Sequence, residues 1–205
     1  MQDPTISTIR INGGRLCLDF VNTAAYRDGR MAHDFLTSFD DLVTWGERQG
    51  LVDRDGADEL WIEAGELAKP AARMLALARN LRAALRDIFM PGVPAAHVEI
   101  ALEALNAVAP RVLPALRLQK IGESIRFAPG ATLESWLIGP LAISALDLAS
   151  SPARAAVQMC PGEGCHWLFL DLSRNATRRW CSMASCGNKA KARAHYATHR
   201  AGTRP

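Results

Sequence analysis

Residues 160–200 read CPGEGCHWLFLDLSRNATRRWCSMASCGNKAKARAHYATHR and hold four of the five cysteines of the 205-residue chain. The four fall as two pairs, Cys160-x4-Cys165 and Cys181-x4-Cys186, with fifteen residues between the pairs. Two such knuckles can bring four thiolates onto one tetrahedral ion, and four thiolates leave no open position, so the spacing points to a single structural zinc. Pro161, Gly162, Gly164 and Gly187 are turn formers that let the backbone curl around sulfur. Trp167–Leu170 reads as a short strand, Ser173–Thr177 as a polar turn and Arg179–Trp180 as a returning strand. After Cys186 comes a run of helix formers with Ala190, Ala194, Ala197 and Ala201 on one stripe, which is expected to press on that hairpin. Knuckle, hairpin and second knuckle opening a helix describe a treble-clef-like finger.

Other readings of these residues stay open but have less behind them. Paired disulfides need an oxidising compartment, and the chain shows no signal peptide. His195 and His199 are four apart, but they lie too far from Cys165 for a finger with two cysteine and two histidine ligands. His97-x-Glu99 starts a nucleobase-deaminase signature, yet the Pro-Cys-x-x-Cys that must follow is missing.

The run WLFLDLSRNATRRWCSMASCGNKAKARAH, from Trp167 to His195, closely resembles the CGNR zinc-finger family of bacterial proteins, described as stress-induced transcription regulators. The shared features are the cysteine spacing, the Leu-Asp-x-Ser-Arg-Asn turn and the Arg-Arg-Trp-Cys-Ser-Met segment. Lys189 stands where the family has its namesake arginine, keeping the charge without the planar fork. The amino-terminal run Gly14–Thr23 resembles the start of the ABATE domain that commonly precedes this finger. The resemblance implies an ABATE-like helical domain over residues 1–152 and a CGNR-type finger over 153–205.

Charge divides along the same line. Residues 1–152 carry 15 basic and 19 acidic groups, whereas residues 153–205 carry 9 basic and 2 acidic groups, a net +7. A small metal-stabilised module of that charge suits a polyanion. Arg174, Arg178, Arg179, Lys189, Lys191 and Arg193 are the candidate nucleic-acid contacts. The apolar run Leu133–Ala149 is interrupted by Glu134, Asp147 and Gly139-Pro140, too broken to span a bilayer, so a cytoplasmic protein is expected. The 49% hydrophobic content suffices for a conventional core. Cys17, between Leu16 and Leu18, reads as a small buried hydrophobe.

Upstream, the fold is expected to be α+β and mainly α. Thr5–Ile11 suggests a short strand, and Gly14–Thr23 a helix or a strand. Ser38 opens a helix from Phe39 to Gly50 with Phe39, Leu42, Val43 and Trp45 or Gly46 inward, and Asp58–Leu67 continues helically. From Pro70 a long helix buries Met74, Leu77, Leu81, Leu85 and Ile88 and leaves Arg73, Arg79, Arg82 and Arg86 on a solvated flank. A helix from Pro94 stops at Pro110, a hairpin joins Leu116–Gln119 to Ser124–Phe127, and Leu133–Ala149 forms the central core helix. Val157–Met159 leads as a strand into Cys160.

Arg15, Asp19 and Asn22 are polar groups in an apolar segment; they need internal partners or else mark a ligand pocket. No nucleophile–base motif or phosphate loop is present, so no enzyme is expected. The reading is a DNA-binding transcription regulator whose amino-terminal domain senses an unknown small-molecule effector or forms a homodimer. A zinc-stabilised protein or RNA interaction module is the alternative. Metal removal is expected to unfold residues 160–200 and leave the remainder folded.

Overall fold

The computed structural model describes residues 4–27, 29–54, 56–58, 68–121, 123–127 and 133–201. The architecture is α+β and mainly α, as expected, with three separate two-stranded antiparallel sheets among the described residues. Its middle is the six-residue helix α1 (Leu16–Val21), in which Cys17 through Val21 are all buried. A helix this short is buried on every side because a long helix, the central core helix and a strand of the finger all pack against it.

Thr23 leads into β1 (Ala24–Arg27) and β2 (Arg30–Asp34), a hairpin whose register shifts between Ala25 and Tyr26. Gly29 turns it with φ +76°. Next, α2 (Phe39–Arg48) begins with a capping box: Ser38 Oγ accepts from the Asp41 N–H, and the Asp41 carboxylate accepts from the Ser38 N–H. Phe39, Leu42, Val43, Trp45 and Gly46 are buried, matching the expected stripe. Gly46 is required by a close approach, since a Cβ there would lie 2.6 Å from Leu137 Cδ2.

The long helix α3 (Ala68–Phe89) buries Met74, Leu81, Leu85 and Ile88. Its arginines depart from expectation, because Arg82 is 2% exposed and Arg86 is 8% exposed. Arg82 grips both Asp34 carboxylate oxygens at 2.6 and 2.7 Å, Arg79 donates to the Leu36 carbonyl at 2.8 Å, and Arg86 lies over the Tyr26 ring at 3.6 Å. These three hold the β1–β2 hairpin to α3; of the four arginines, only Arg73 is exposed.

Helix α4 (Ala95–Val112) runs past Pro110 rather than stopping there. Asn106 and Pro110 both face solvent, so the lost bond costs little, and fully buried Val112 holds the last turn inward. A 3-10 turn (Leu113–Ala115) then precedes the expected hairpin, β3 (Leu118–Ile121) with β4 (Ser124–Phe127), so the first strand starts two residues late. Helix α5 (Leu133–Ser150) buries Trp136, Leu137, Ile138, Leu141, Ala142, Ala145 and Leu148 and packs on α1, α3 and α4, the central role expected of it.

Thr5–Ile11 is not a strand. The Thr8 and Ile9 N–H groups both donate to the Thr5 carbonyl, and Ile6 and Ile9, three apart, point inward as in a helical turn. Arg48 ties the turn down through the Ile6 and Ile9 carbonyls. The expected continuation over Asp58–Leu67 lies almost wholly outside the described residues. Among the described residues no helix is long and apolar enough to cross a membrane.

Candidate metal centre

Strands β5 (Val157–Met159) and β6 (Leu168–Leu170) pair antiparallel, and the first cysteine knuckle is the turn between them. The Cys160 N–H donates to the Trp167 carbonyl at 2.8 Å, the Cys165 N–H donates to the Gly162 carbonyl at 2.9 Å, and Gly164 and His166 take positive φ to close the turn. The hairpin therefore surrounds the first knuckle instead of separating the two. The expected returning strand at Arg179–Trp180 is absent. The carbonyls of Trp180 and the following Cys181 are taken from the side: Arg178 donates to the first through Nε at 3.1 Å and to the second through Nη2 at 2.6 Å.

The polar turn is as expected. Asp171 accepts from the Ser173 N–H and Oγ–H and from the Arg178 N–H, and Ala176 sits at φ +48°. The second knuckle enters a π-turn (Met183–Gly187) that runs directly into α6 (Asn188–Ala201). From Lys191 to Tyr196 that helix is exposed, Ala194 included, so the alanine stripe does not cover the hairpin there.

All four sulfurs lie within 4.8 Å of one another. Cys165 and Cys181 are 3.5 Å apart and Cys181 and Cys186 3.7 Å apart. A tetrahedral ion with Zn–S bonds of about 2.3 Å sets its sulfurs ~3.8 Å apart, so the donor set fits zinc. Gly162 completes the fit, because a Cβ there would stand 3.0 Å from Cys186 Sγ and 3.4 Å from Cys160 Sγ. Cys160, Cys181 and Cys186 are buried and Cys165 is half-buried. The crowded sulfurs pull one another's titration apart: hydrogen bonds from Cys165 and Cys181 push Cys160 down, while the bond to Cys160 drives Cys165 and Cys181 up. A divalent ion removes that conflict by holding all four as thiolates.

The remaining site expectations divide clearly. Arg174, Arg179, Lys189, Lys191 and Arg193 are exposed. Arg178 is engaged internally: besides the two carbonyls above it reaches the Leu170 and Asn12 carbonyls and stacks 4.4 Å from the Phe169 ring centre. Arg193 forms an ion pair with Glu163 of the first knuckle. Arg15 is exposed, whereas Asp19 and Asn22 are buried and internally bonded. Asp19 accepts the Gly13 N–H at 2.7 Å. Asn22 donates to the Leu168 carbonyl and accepts the Leu168 N–H, both at 2.8 Å. Asp19 thus closes the turn that precedes α1, and Asn22 joins the body to strand β6 of the finger. Cys17 is fully buried, as expected, and burial pushes its thiol up to about 11.

A helical body carrying a closed four-thiolate centre defines the class: a zinc-stabilised finger protein without an open metal position. Residues 157–199 match the model of the CGNR zinc finger, and residues 14–152 match ABATE, described as "Putative stress-induced transcription regulator". The chain belongs to this ABATE and CGNR zinc-finger family, and Cys160, Cys165, Cys181 and Cys186 hold one structural zinc. No curated protein matches it significantly.

Proposed function

We propose that this protein is a DNA-binding transcription regulator in which the finger, residues 153–205, contacts the duplex and the body, residues 1–152, senses an effector or dimerises. One observation carries the reading. With Arg178 engaged internally, five of the six candidate cations are exposed around the metal centre: Arg174 and Arg179 between Asp171 and Cys181, and Lys189, Lys191 and Arg193 on α6. Phosphates would meet these five, and α6, exposed over most of its described length, is free to approach a groove. The metal holds the scaffold and takes no part in chemistry.

The test is fluorescence anisotropy of zinc-loaded protein against a randomised duplex pool at several salt concentrations, with bound DNA sequenced. Five phosphate contacts give a slope of log affinity on log salt of about −4.5. An enriched motif identifies the operator, and no binding at low salt rejects the proposal. Exposed Leu172, Met183 and Tyr196 on the same finger favour a second reading, a protein-interaction module, which that negative result would leave standing.

A further inference from the structure

A cleft of about 620 Å³ lies between the amino-terminal segment and the finger. That volume is in the range of small-molecule sites. Its lining separates into two zones. The wall is apolar and aromatic, with Ile9, Phe35, Trp167 and Trp180, above a floor that includes Cys165 and Cys186 of the metal centre. The remaining charged lining consists of Arg10, Lys189 and Arg193 with a single carboxylate, Glu163.

These charged groups are exposed, and Arg193 and Glu163 are already paired with each other. Arg10 lies over Trp167 at 5.7 Å from the ring centre, and neither Arg10 nor Lys189 has an ion-pair partner among the described residues. Charge therefore favours an anion at the rim. The zinc tetrathiolate, formally −2, disfavours one at the floor. A ligand satisfying both has a neutral planar body turned inward and an acid group turned outward.

We infer that this cleft binds a planar aromatic carboxylate, its ring against Trp167 and Trp180 and its carboxylate on Arg10 and Lys189. The inference stands apart from the duplex reading, since it concerns the protein without DNA. If the duplex reading also holds, the ligand and the phosphates compete for Lys189, which makes the compound an effector that weakens DNA binding.

The test uses zinc-loaded full-length protein, 2-naphthoate as the probe and 2-naphthalenemethanol as its neutral counterpart, followed by NMR of the tryptophan indole N–H groups. Naphthoate shifts the Trp167 and Trp180 signals and leaves those of Trp45 and Trp136, buried elsewhere in the core, in place. Arg10→Ala and Lys189→Ala, with zinc content verified, each weaken binding by about two- to fivefold, the scale of an exposed charge pair. The alcohol binds at least about fivefold more weakly than the acid. Equal binding of acid and alcohol, shifts spread over all five indoles, or no shift up to the solubility limit would each overturn the inference, and none of these outcomes bears on duplex affinity.

Discussion

At Asn22 one carboxamide stands in for a neighbouring strand. β6 has β5 along one edge only, and its other edge is buried against α1, where bare backbone N–H and C=O groups are costly. Asn22 satisfies both groups of Leu168, Gly13 accepts the Leu170 N–H at 2.8 Å, and Arg178 donates to the Leu170 carbonyl at 3.3 Å. Asn22→Leu keeps the volume but strands two buried groups, so urea denaturation of the zinc-loaded protein should show a loss of about 2–4 kcal/mol. A loss below ~0.5 kcal/mol would mean the pairing is incidental. Asp34 gives a pH-dependent case. Burial alone would raise its pKa, but the hydrogen bonds from Arg82 and the Leu36 N–H outweigh burial and hold the carboxyl below its ordinary value. A depressed folded pKa contributes stability that is present above the unfolded pKa, about 3.9, and is lost as pH falls through the folded value. The stability gap between wild type and Asp34→Asn should therefore narrow on acidification through that window. Taking the difference at each pH cancels the zinc loss common to both proteins, and a constant gap would rule out the coupling.

Among the elements, the loop from Asp171 to Cys181 sets the position of the third ligand, and Arg178 holds its shape through four carbonyls and an aromatic face. Removing it leaves the buried end of the loop unsupported. Arg178→Ala should lose zinc to a competing chelator more readily and lower the melting temperature, whereas Arg174→Ala and Arg179→Ala should keep both and lose only duplex affinity. Equal zinc retention in all three would place Arg178 with its neighbours as a surface cation. This division was not legible in the sequence, where Arg174, Arg178 and Arg179 are simply three basic residues in a turn. What could be read were elements with local signals: the helix start at Ser38, the apolar stripe of α3, the apolar run of α5 and the paired cysteines. The β1–β2 hairpin was missed although Asp28-Gly29 is a strong turn dipeptide, because Ala24–Arg27 and Arg30–Asp34 contain no β-branched residue. Contacts as distant as Asn22 with Leu168 and Arg178 with Asn12, 146 and 166 residues apart, leave no mark on local periodicity. The cleft escaped notice for the same reason, since Arg10, Trp167 and Lys189 meet only in the fold.

On the scale of the whole molecule, body and finger share one hydrophobic core, in which Leu168, Phe169 and Leu170 are fully buried together with Cys160, Cys181 and the body residues around α1. That continuity changes the expected consequence of metal removal. A finger tethered as a separate bead would unfold alone, as charge and composition suggest. Here, releasing β6 would bare its three apolar side chains and the α1 face beneath them, and would leave the Asn22 amide and the Gly13 carbonyl without partners. Zinc binding contributes on the order of 10 kcal/mol to a small finger, and through this junction part of it should stabilise the body. Chelation should therefore lower the melting temperature of residues outside the finger by ~10 °C or more and accelerate hydrogen exchange at the Asp19 and Asn22 amides of the α1 segment, which donate to Arg15 and Leu18 carbonyls. Calorimetry of the zinc-loaded chain should show one transition. If α1 kept its protection after chelation and the body melted at an unchanged temperature, the two parts would be thermodynamically independent. If they are coupled, an event in the body reaches the exposed cations of α6 through packed side chains, the physical link that regulation of the finger by the body requires.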